Sequence, residues 1–395
     1  MSNINRRNFI RTSVAGAAGV AVFKPALVSS MPGHEEKILT RTLGRTGMVI
    51  PVISFGVMRA DNPNLCKAAF EKGIKLFDTA NGYQNGNNET MLGNLFKNTP
   101  RDSFYLATKV KPPMSREGQP TKDTTADDFL QRFGTSLSRL QMDYVDILYL
   151  HDVRHTDILE YKPIINALKK LKKDKKVKFI GFSTHANEPA VISAAADLDT
   201  FDAILTSYNF MQTYSEDIKV SIRKAAANGI GFVAMKTMAG GGFLDKEKTK
   251  KINPSSALKW ALQNPDITTC IPGMTEYEHL DTDIKLLSDI TFTESDRMEL
   301  TAALSEQGLY CNQCTSCLPQ CPKNLPVNEL MRAYMYAYGY SSPKMAGTLL
   351  KEIGAGPNPC SDCNNCTVNC TKNFNVREKI ADISRLTVVP EDFLA

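Results

Sequence analysis

From Val52 onward, short apolar blocks alternate with longer stretches whose apolar residues recur at helical spacing. The blocks are 52–56, 75–78, 104–109, 145–151, 177–183, 203–208, 231–235 and 268–272, and their length and apolar continuity predict strands buried on both faces. The stretches between and after them predict helices over 64–72, 90–97, 125–140, 161–173, 188–196, 216–228, 255–263 and 277–286. Ahead of the first block, Gly44 and Gly47 punctuate two short apolar runs and predict a small hairpin. Eight strands alternating with eight helices over about 250 residues predict an α/β fold of the (β/α)8 TIM-barrel kind. An open doubly wound sheet is the competing pattern, but no G-x-G-x-x-G follows the first strand.

Polar residues collect where strands run out. The stretch Ile74-Lys-Leu-Phe-Asp-Thr-Ala-Asn-Gly-Tyr83 starts as a buried strand and ends with Asp78 and Tyr83. Lys109 closes the third strand and His151 the fourth. In a barrel of this kind the carboxyl ends of the strands carry the chemistry. A lone Tyr or His usually packs, whereas four ionisable groups at one end of neighbouring strands form a candidate site. A carbonyl that accepts hydride needs a proton at its oxygen. A Tyr hydroxyl can give one, and its ordinary value near 10 falls beside an ammonium. The expectation is that Tyr83 donates, Lys109 lowers its pKa, Asp78 holds Lys109, and His151 orients the carbonyl or shares the proton.

The motifs L-G-R-T-G-M at 43–48, F-D-T-A-N-G-Y at 77–83, A-T-K-V at 107–110, L-Y-L-H at 148–151 and I-G-F-S-T at 180–184 resemble the aldo-keto reductase family over roughly residues 38–305. That resemblance implies NAD(P)H-dependent reduction of an aldehyde, ketone or sugar carbonyl by Asp78, Tyr83, Lys109 and His151. It also implies cofactor contacts. Ser183 matches the residue that holds the carboxamide, but Thr184 replaces the usual Asn beside it and Leu205 the usual Gln. Met235 falls where some members stack a Tyr. The run Lys236-Thr-Met-Ala-Gly240-Gly241-Gly242 resembles the loop over the pyrophosphate, where glycine N–H groups approach phosphate. Met274 and Thr275 fall in the loop for the adenosine phosphate, with His279 at the usual Arg and Asp283 at the usual Asn. A neutral imidazole is a poor substitute for a fixed cation on a 2′-phosphate.

Eight of the ten cysteines form two runs: Cys311, Cys314, Cys317 and Cys321, then Cys360, Cys363, Cys366 and Cys370. Each run has the C-x2-C-x2-C-x3-C spacing of bacterial ferredoxins, in which the fourth Cys ligates the other cluster. Two [4Fe-4S] clusters are expected, one on Cys311, Cys314, Cys317 and Cys370, the other on Cys360, Cys363, Cys366 and Cys321. Four thiolates per run at this spacing suit zinc less well. Thr371 stands where a Pro often follows the last Cys. Helices predicted at 327–336 and 344–353, broken by Ser341-Ser342-Pro343, make an α-helical ferredoxin-like unit. Cys66 and Cys270 read as buried barrel thiols.

Charge sharpens the ends rather than the middle. Of the net +5, Arg6, Arg7, Arg11 and Lys24 supply +4 and residues 1–30 carry no acid, which leaves +1 for the remainder. That argues against a nucleic-acid surface. The lysine run at 169–178 ends an amphipathic helix and reads as a solvated face. Arg6-Arg7 with Phe9, a mild apolar segment too short to span a bilayer, and Ser29-Ser30 resemble a twin-arginine export signal. The expected plan is therefore a signal at 1–30, a barrel at 31–305 and an iron–sulfur unit at 306–395. The protein would be exported folded to the periplasm, with no transmembrane anchor after cleavage and a redox partner protein among its expected contacts. An alternative function keeps the barrel as a scaffold for an iron–sulfur electron-transfer or docking protein.

Overall fold

The computed structural model describes residues 37–238, 253–305, 310–311, 313–363 and 365–394. Residues Lys37–Ala395 form one compact unit. Residues 1–30, where a signal is expected, and Gly240, Gly241 and Gly242 lie outside the described residues.

Strands β1 (Thr40–Thr42) and β2 (Val49–Pro51) pair antiparallel as the expected hairpin. Its turn sends Leu43 into the bottom of the barrel, and Arg41 donates to the carbonyls of Leu262, Asn264 and Ile267. Eight parallel strands follow: β3 (Phe55–Gly56), β4 (Leu76–Asp78), β5 (Tyr105–Val110), β6 (Val145–Leu150), β7 (Val177–Thr184), β8 (Ala203–Ser207), β9 (Gly231–Met235) and β10 (Ile267–Cys270). They pair in chain order, and an Ile53–Cys270 bridge with Ser54 N–H to Cys270 O at 2.9 Å brings the two ends together. The first strand is shorter than its apolar run because residues 52–54 pair with β10 through this bridge instead of forming a regular ladder with β4.

The helices start and stop where the sequence punctuates them. In Ala126–Leu140, Thr125 caps the N-terminus through Asp128 N–H, Phe129, Phe133 and Leu140 are buried, and Gln141 ends the helix in the left-handed region. The lysine run is solvated and ion-paired, Lys172 to Asp202 at 2.6 Å and Lys178 to Asp146 at 2.9 Å. Helix Glu294–Ser305 was not anticipated.

Strand periodicity places the site. Leu76, Ala107, Ile147, Ala203, Leu205 and Val233 form the inner core, while Phe77, Leu106, Leu148, Phe182 and Ile204 pack outward against the helices. Side chains alternate with period two. The residue two positions past an inner one therefore faces the same interior, one layer higher. This rule carries Leu76 to Asp78, Ala107 to Lys109, Tyr149 to His151, Leu205 to Ser207 and Val233 to Met235. Gly181 makes room for one layer: a Cβ there would lie 2.4 Å from Ala203 O and 2.6 Å from the Tyr149 ring. Gly181→Ala is expected to lower unfolding stability by roughly 1–3 kcal/mol through overpacking, measured by chemical denaturation.

The C-terminal helices Val327–Tyr334, Pro343–Glu352 and Val376–Ser384 enclose a core of their own, with Val327, Leu330, Leu350, Ile380 and Ile383 buried. Pro343 starts the second helix, as its sequence signal predicts. The third was unanticipated, although Asn375 accepts from Glu378 N–H as an N-cap. Among the described residues no helix is long and apolar enough to cross a membrane.

Candidate active site

The loop after β4 is held from several sides. Thr79 Oγ1 donates to Asn88 Oδ1 at 2.7 Å, and the Asn88 amide donates to Val57 O and Ala60 O. Asn81 reaches Ser136 at 3.0 Å, and Arg139 donates to Asn81 O at 2.8 Å. Gln84, Asn85 and Gly86 all take positive φ, a tight turn that ends the loop just after Tyr83.

This frame brings Tyr83 onto Lys109. The Lys109 ammonium is 1% exposed and donates to the Asp78 carboxylate, to Thr79 O at 2.7 Å and to the Tyr83 phenol oxygen at 3.2 Å. Because the phenol oxygen accepts from Lys109, its own O–H is free to donate into the cleft. The His151 ring meets the Tyr83 ring edge-on, with centroids 6.0 Å apart. The structure thus assembles the four groups that the strand ends suggested.

The electrostatics differ from the expectation in one respect. Burial pushes the Tyr83 phenol up; Lys109 pulls it down but does not win, so the phenol stays above its ordinary value. Burial likewise raises Asp78 against the pull of Lys109. Lys109 itself is raised, because Asp78 and Tyr83 together outweigh its burial. Burial and the Lys109 charge lower His151 to about 3, so its imidazole is neutral at physiological pH.

These groups lie in a cleft of about 940 Å³. Its floor includes Asp78, Lys109, His151, Ser183, Ser207 and Met235, the upper inward residues of successive strands. Lys236 also lines it, at φ 54°, and burial together with the nearby Arg332 lowers its amine to about 7. One wall comes from the C-terminal unit, through Cys311, Gln313, Arg332, Tyr336, Tyr340 and Lys344.

The cofactor positions separate into two groups. Ser183, Met235 and Lys236 line the cleft beside Tyr83 and His151. Thr184 does not: its hydroxyl donates to Ala186 O at 3.0 Å. Leu205 lies one layer down in the inner core. Met274 and Asp283 are buried, and burial raises Asp283 to about 7. Thr275 and His279 engage each other at 3.3 Å on the surface. The residues of that loop that reach the cleft are Ile271, Pro272 and Gly273.

Sequence reasoning missed an ionic group beside the tetrad. Asp152, in the left-handed region directly after His151, pairs with Arg154 at 2.7 Å, Lys111 at 3.0 Å and His185 Nε2 at 3.0 Å. Arg332 donates to His185 Nδ1 at 3.0 Å and pairs with Glu329 at 3.0 Å. Burial and the Arg332 charge hold His185 well below its ordinary value, so it is neutral. With Nδ1 accepting from Arg332, the His185 proton sits on Nε2 and faces Asp152.

The cysteines group across the two runs. Burial raises Cys311 to about 12, and the neighbouring thiols of Cys317, Cys314 and Cys370 add to it. Burial raises Cys360 as well, reinforced by Cys363, Cys366 and Cys321. A small cavity is lined by Cys321, Cys360, Cys363 and Cys366 with Val327 and Ile380. Thr371 lies 3.4 Å from Cys314 Sγ. Among the described residues no group of three His, Cys, Asp or Glu side chains closes on a single-ion site. Two groups of four thiols, each drawing three from one run and one from the other, are the donor sets that [4Fe-4S] clusters take.

A parallel eight-stranded barrel with ionisable groups at the carboxyl ends of its strands belongs to the class of α/β-barrel enzymes. The chain is a member of the aldo/keto reductase family, whose pattern matches residues 55–257, and a 4Fe-4S dicluster domain matches residues 310–375. It is 27% identical over 305 residues to L-galactose dehydrogenase of Arabidopsis thaliana, covering 67% of this chain and 93% of that protein. It is 27% identical over 237 residues to D-threo-aldose 1-dehydrogenase of a Pseudomonas species, covering 52% and 70%. The fold matches the holo form of an aldo-keto reductase from Bacillus halodurans with TM-score 0.56 and 22% identity, covering 67% of this chain and 96% of that one. The protein is therefore an oxidoreductase that carries an iron–sulfur domain.

Proposed function

We propose that the protein reduces the carbonyl of a small aldehyde, ketone or sugar, and that Tyr83 gives the proton. The observation that carries this reading is the Lys109 ammonium, fixed by Asp78 and Thr79 O and donating to the Tyr83 phenol oxygen. Neutral His151 beside it orients the carbonyl oxygen by hydrogen bonding, without competing as an acid. Ser183, Met235 and Lys236 fit a nicotinamide and its pyrophosphate at the same mouth. When bound, such a cofactor supplies the hydride. A sugar substrate is supported by the sugar dehydrogenases among its relatives. The test is oxidation of NADH and NADPH by anaerobically purified protein across aldoses and simple aldehydes. Failure of every substrate, together with no nucleotide binding, would favour the scaffold reading, which draws on Thr184, Leu205, His279 and Asp283, none of which lines the cleft.

The lowered His151 sets the pH dependence. A group that stays neutral down to about pH 3 places no limb near 6.5 on the rate profile. Raised Tyr83 and Lys109 put the alkaline limb above their ordinary values. With nicotinamide cofactor saturating, so that the Lys236 amine at about 7 acts on cofactor binding and not on the carbonyl step, kcat/KM for the carbonyl is expected to stay flat between pH 5 and 9, and a clear acid limb between pH 6 and 7 would count against a neutral His151.

The C-terminal unit holds two [4Fe-4S] clusters in this reading, on the cross-run sets given above, and each supplies or accepts one electron at a time. A protein partner would then load or drain them. We place the signal at 1–30, the barrel at 31–305 and the cluster unit at 306–395, with export of the folded protein to the periplasm. Replacing Arg6-Arg7 by two lysines is expected to leave the protein in the cytoplasmic fraction. Unchanged fractionation would overturn export by the twin-arginine route.

A further inference from the structure

The cleft and the first cysteine run share a wall. Cys311 and Gln313 both line the cleft, and Gln313 N–H donates to Cys311 Sγ at 3.3 Å. From there a continuous chain of contacts crosses to the barrel. Arg332 Nη2 donates to Gln313 Oε1 at 3.1 Å and to His185 Nδ1 at 3.0 Å, and His185 Nε2 meets Asp152 at 3.0 Å. Asp152 directly follows His151 and takes Ser183 Oγ on its backbone N–H at 3.1 Å. The central charge is deep, since Arg332 is only 3% exposed. Its partner Glu329, 1% exposed, lies 3.4 Å from Arg154 as well.

We infer that the cluster on Cys311, Cys314, Cys317 and Cys370 is the cleft-side cluster, and that Arg332 ties its reduction potential to the charge at the barrel mouth. The inference rests on the cluster assignment above and not on carbonyl reduction.

Adding an electron to a cluster adds negative charge, which a buried cation nearby favours and a buried anion opposes. Arg332 is that cation for the cleft-side cluster, linked to it through Gln313. Removing its charge also leaves Glu329 less compensated, which acts in the same direction. Arg377 is the corresponding cation for the other set, since it lines the cavity of Cys321, Cys360, Cys363 and Cys366. Each cluster thus has its own nearby arginine, and only one of the two reaches the cleft. An anion bound at the mouth would then oppose reduction of the cleft-side cluster. By linkage, the reduced cluster would weaken binding of that anion by the same factor.

The test is a redox titration of the full-length holo-protein followed by electron paramagnetic resonance, with dithionite as reductant. Arg332→Gln is expected to move one of two potentials to a more negative value and leave the other in place. Arg332→Lys should restore most of it, and Arg377→Gln should move the other potential. Saturating ADP-ribose, used because it carries the pyrophosphate but no nicotinamide, should lower the same potential that Arg332→Gln lowers. The inference is overturned if Arg332→Gln moves both potentials, neither, or the one that Arg377→Gln moves. If Arg332→Gln does not assemble both clusters, Glu329→Gln decides: removing the buried anion paired with Arg332 should move to a less negative value only the potential that Arg377→Gln leaves in place, and a shift of both potentials, of neither, or of the Arg377-linked one overturns the inference. A wild-type protein with fewer than two [4Fe-4S] signals would fail the cluster assignment itself, a result separable from the variants.

Discussion

Tyr83→Phe is expected to abolish most carbonyl reduction while the protein keeps its fold, its clusters and its nucleotide affinity. The substitution removes one oxygen from the mouth of the barrel. That oxygen accepts from Lys109 at 3.2 Å and offers its own proton to the cleft. Loss of a positioned acid lowers turnover by about 10²–10⁴-fold. The loss should fall on kcat, because an interaction made mainly as charge develops on the carbonyl oxygen contributes little to ground-state binding. Steady-state kinetics with the best aldose or aldehyde would measure it. A variant with near wild-type kcat would remove Tyr83 from the mechanism and direct attention to His151.

Lys109→Met is expected to damage stability as well as activity. Asp78 is 3% exposed and the Lys109 ammonium is its ion-pair partner. Deleting one member of a buried pair leaves an uncompensated charge and costs about 3–5 kcal/mol. The variant also has a pH signature. Without Lys109, burial holds the Asp78 pKa above its unfolded value near 3.9. A carboxyl raised in this way favours the folded state below its unfolded pKa and ceases to do so as pH rises through the folded one. The variant should therefore regain part of its stability between pH 7 and pH 4. Adding Asp78→Asn should recover much of the loss at pH 7, because the orphaned charge is gone. Urea denaturation of the single and double variants at both pH values checks this, and a double variant no more stable than Lys109→Met would show that the pair is not the cause.

Both predictions rest on residues that could be found without coordinates. Asp78, Lys109 and His151 each follow an apolar block by the register of a buried strand, so period two sends them to the same interior. The cysteine runs were equally legible, because ligand spacing is local. Less was visible where side-chain direction depends on parity or on the layer reached. Thr184 resembles a cofactor contact by position, yet it is the outward neighbour of inward Ser183 and bonds Ala186 O. Leu205 stands two residues below Ser207, in the packed interior. The effect of Lys109 on Tyr83 was also only half readable. The attraction follows from residue type, but the depth of burial that outweighs it does not.

What the sequence determined by itself was the set of local decisions: strand–helix alternation, the inward register that delivers the tetrad, and two four-cysteine runs with cluster spacing. What only the tertiary structure decided was how these parts meet. Arg332 and His185 are 147 residues apart and hydrogen-bond at 3.0 Å, and Cys311 forms part of the wall of a cleft whose floor is made by the barrel. Such contacts have no period and no spacing rule. They arise from packing one unit on the other, and buried charges on the two sides are then held in place by the penalty for leaving either unpaired.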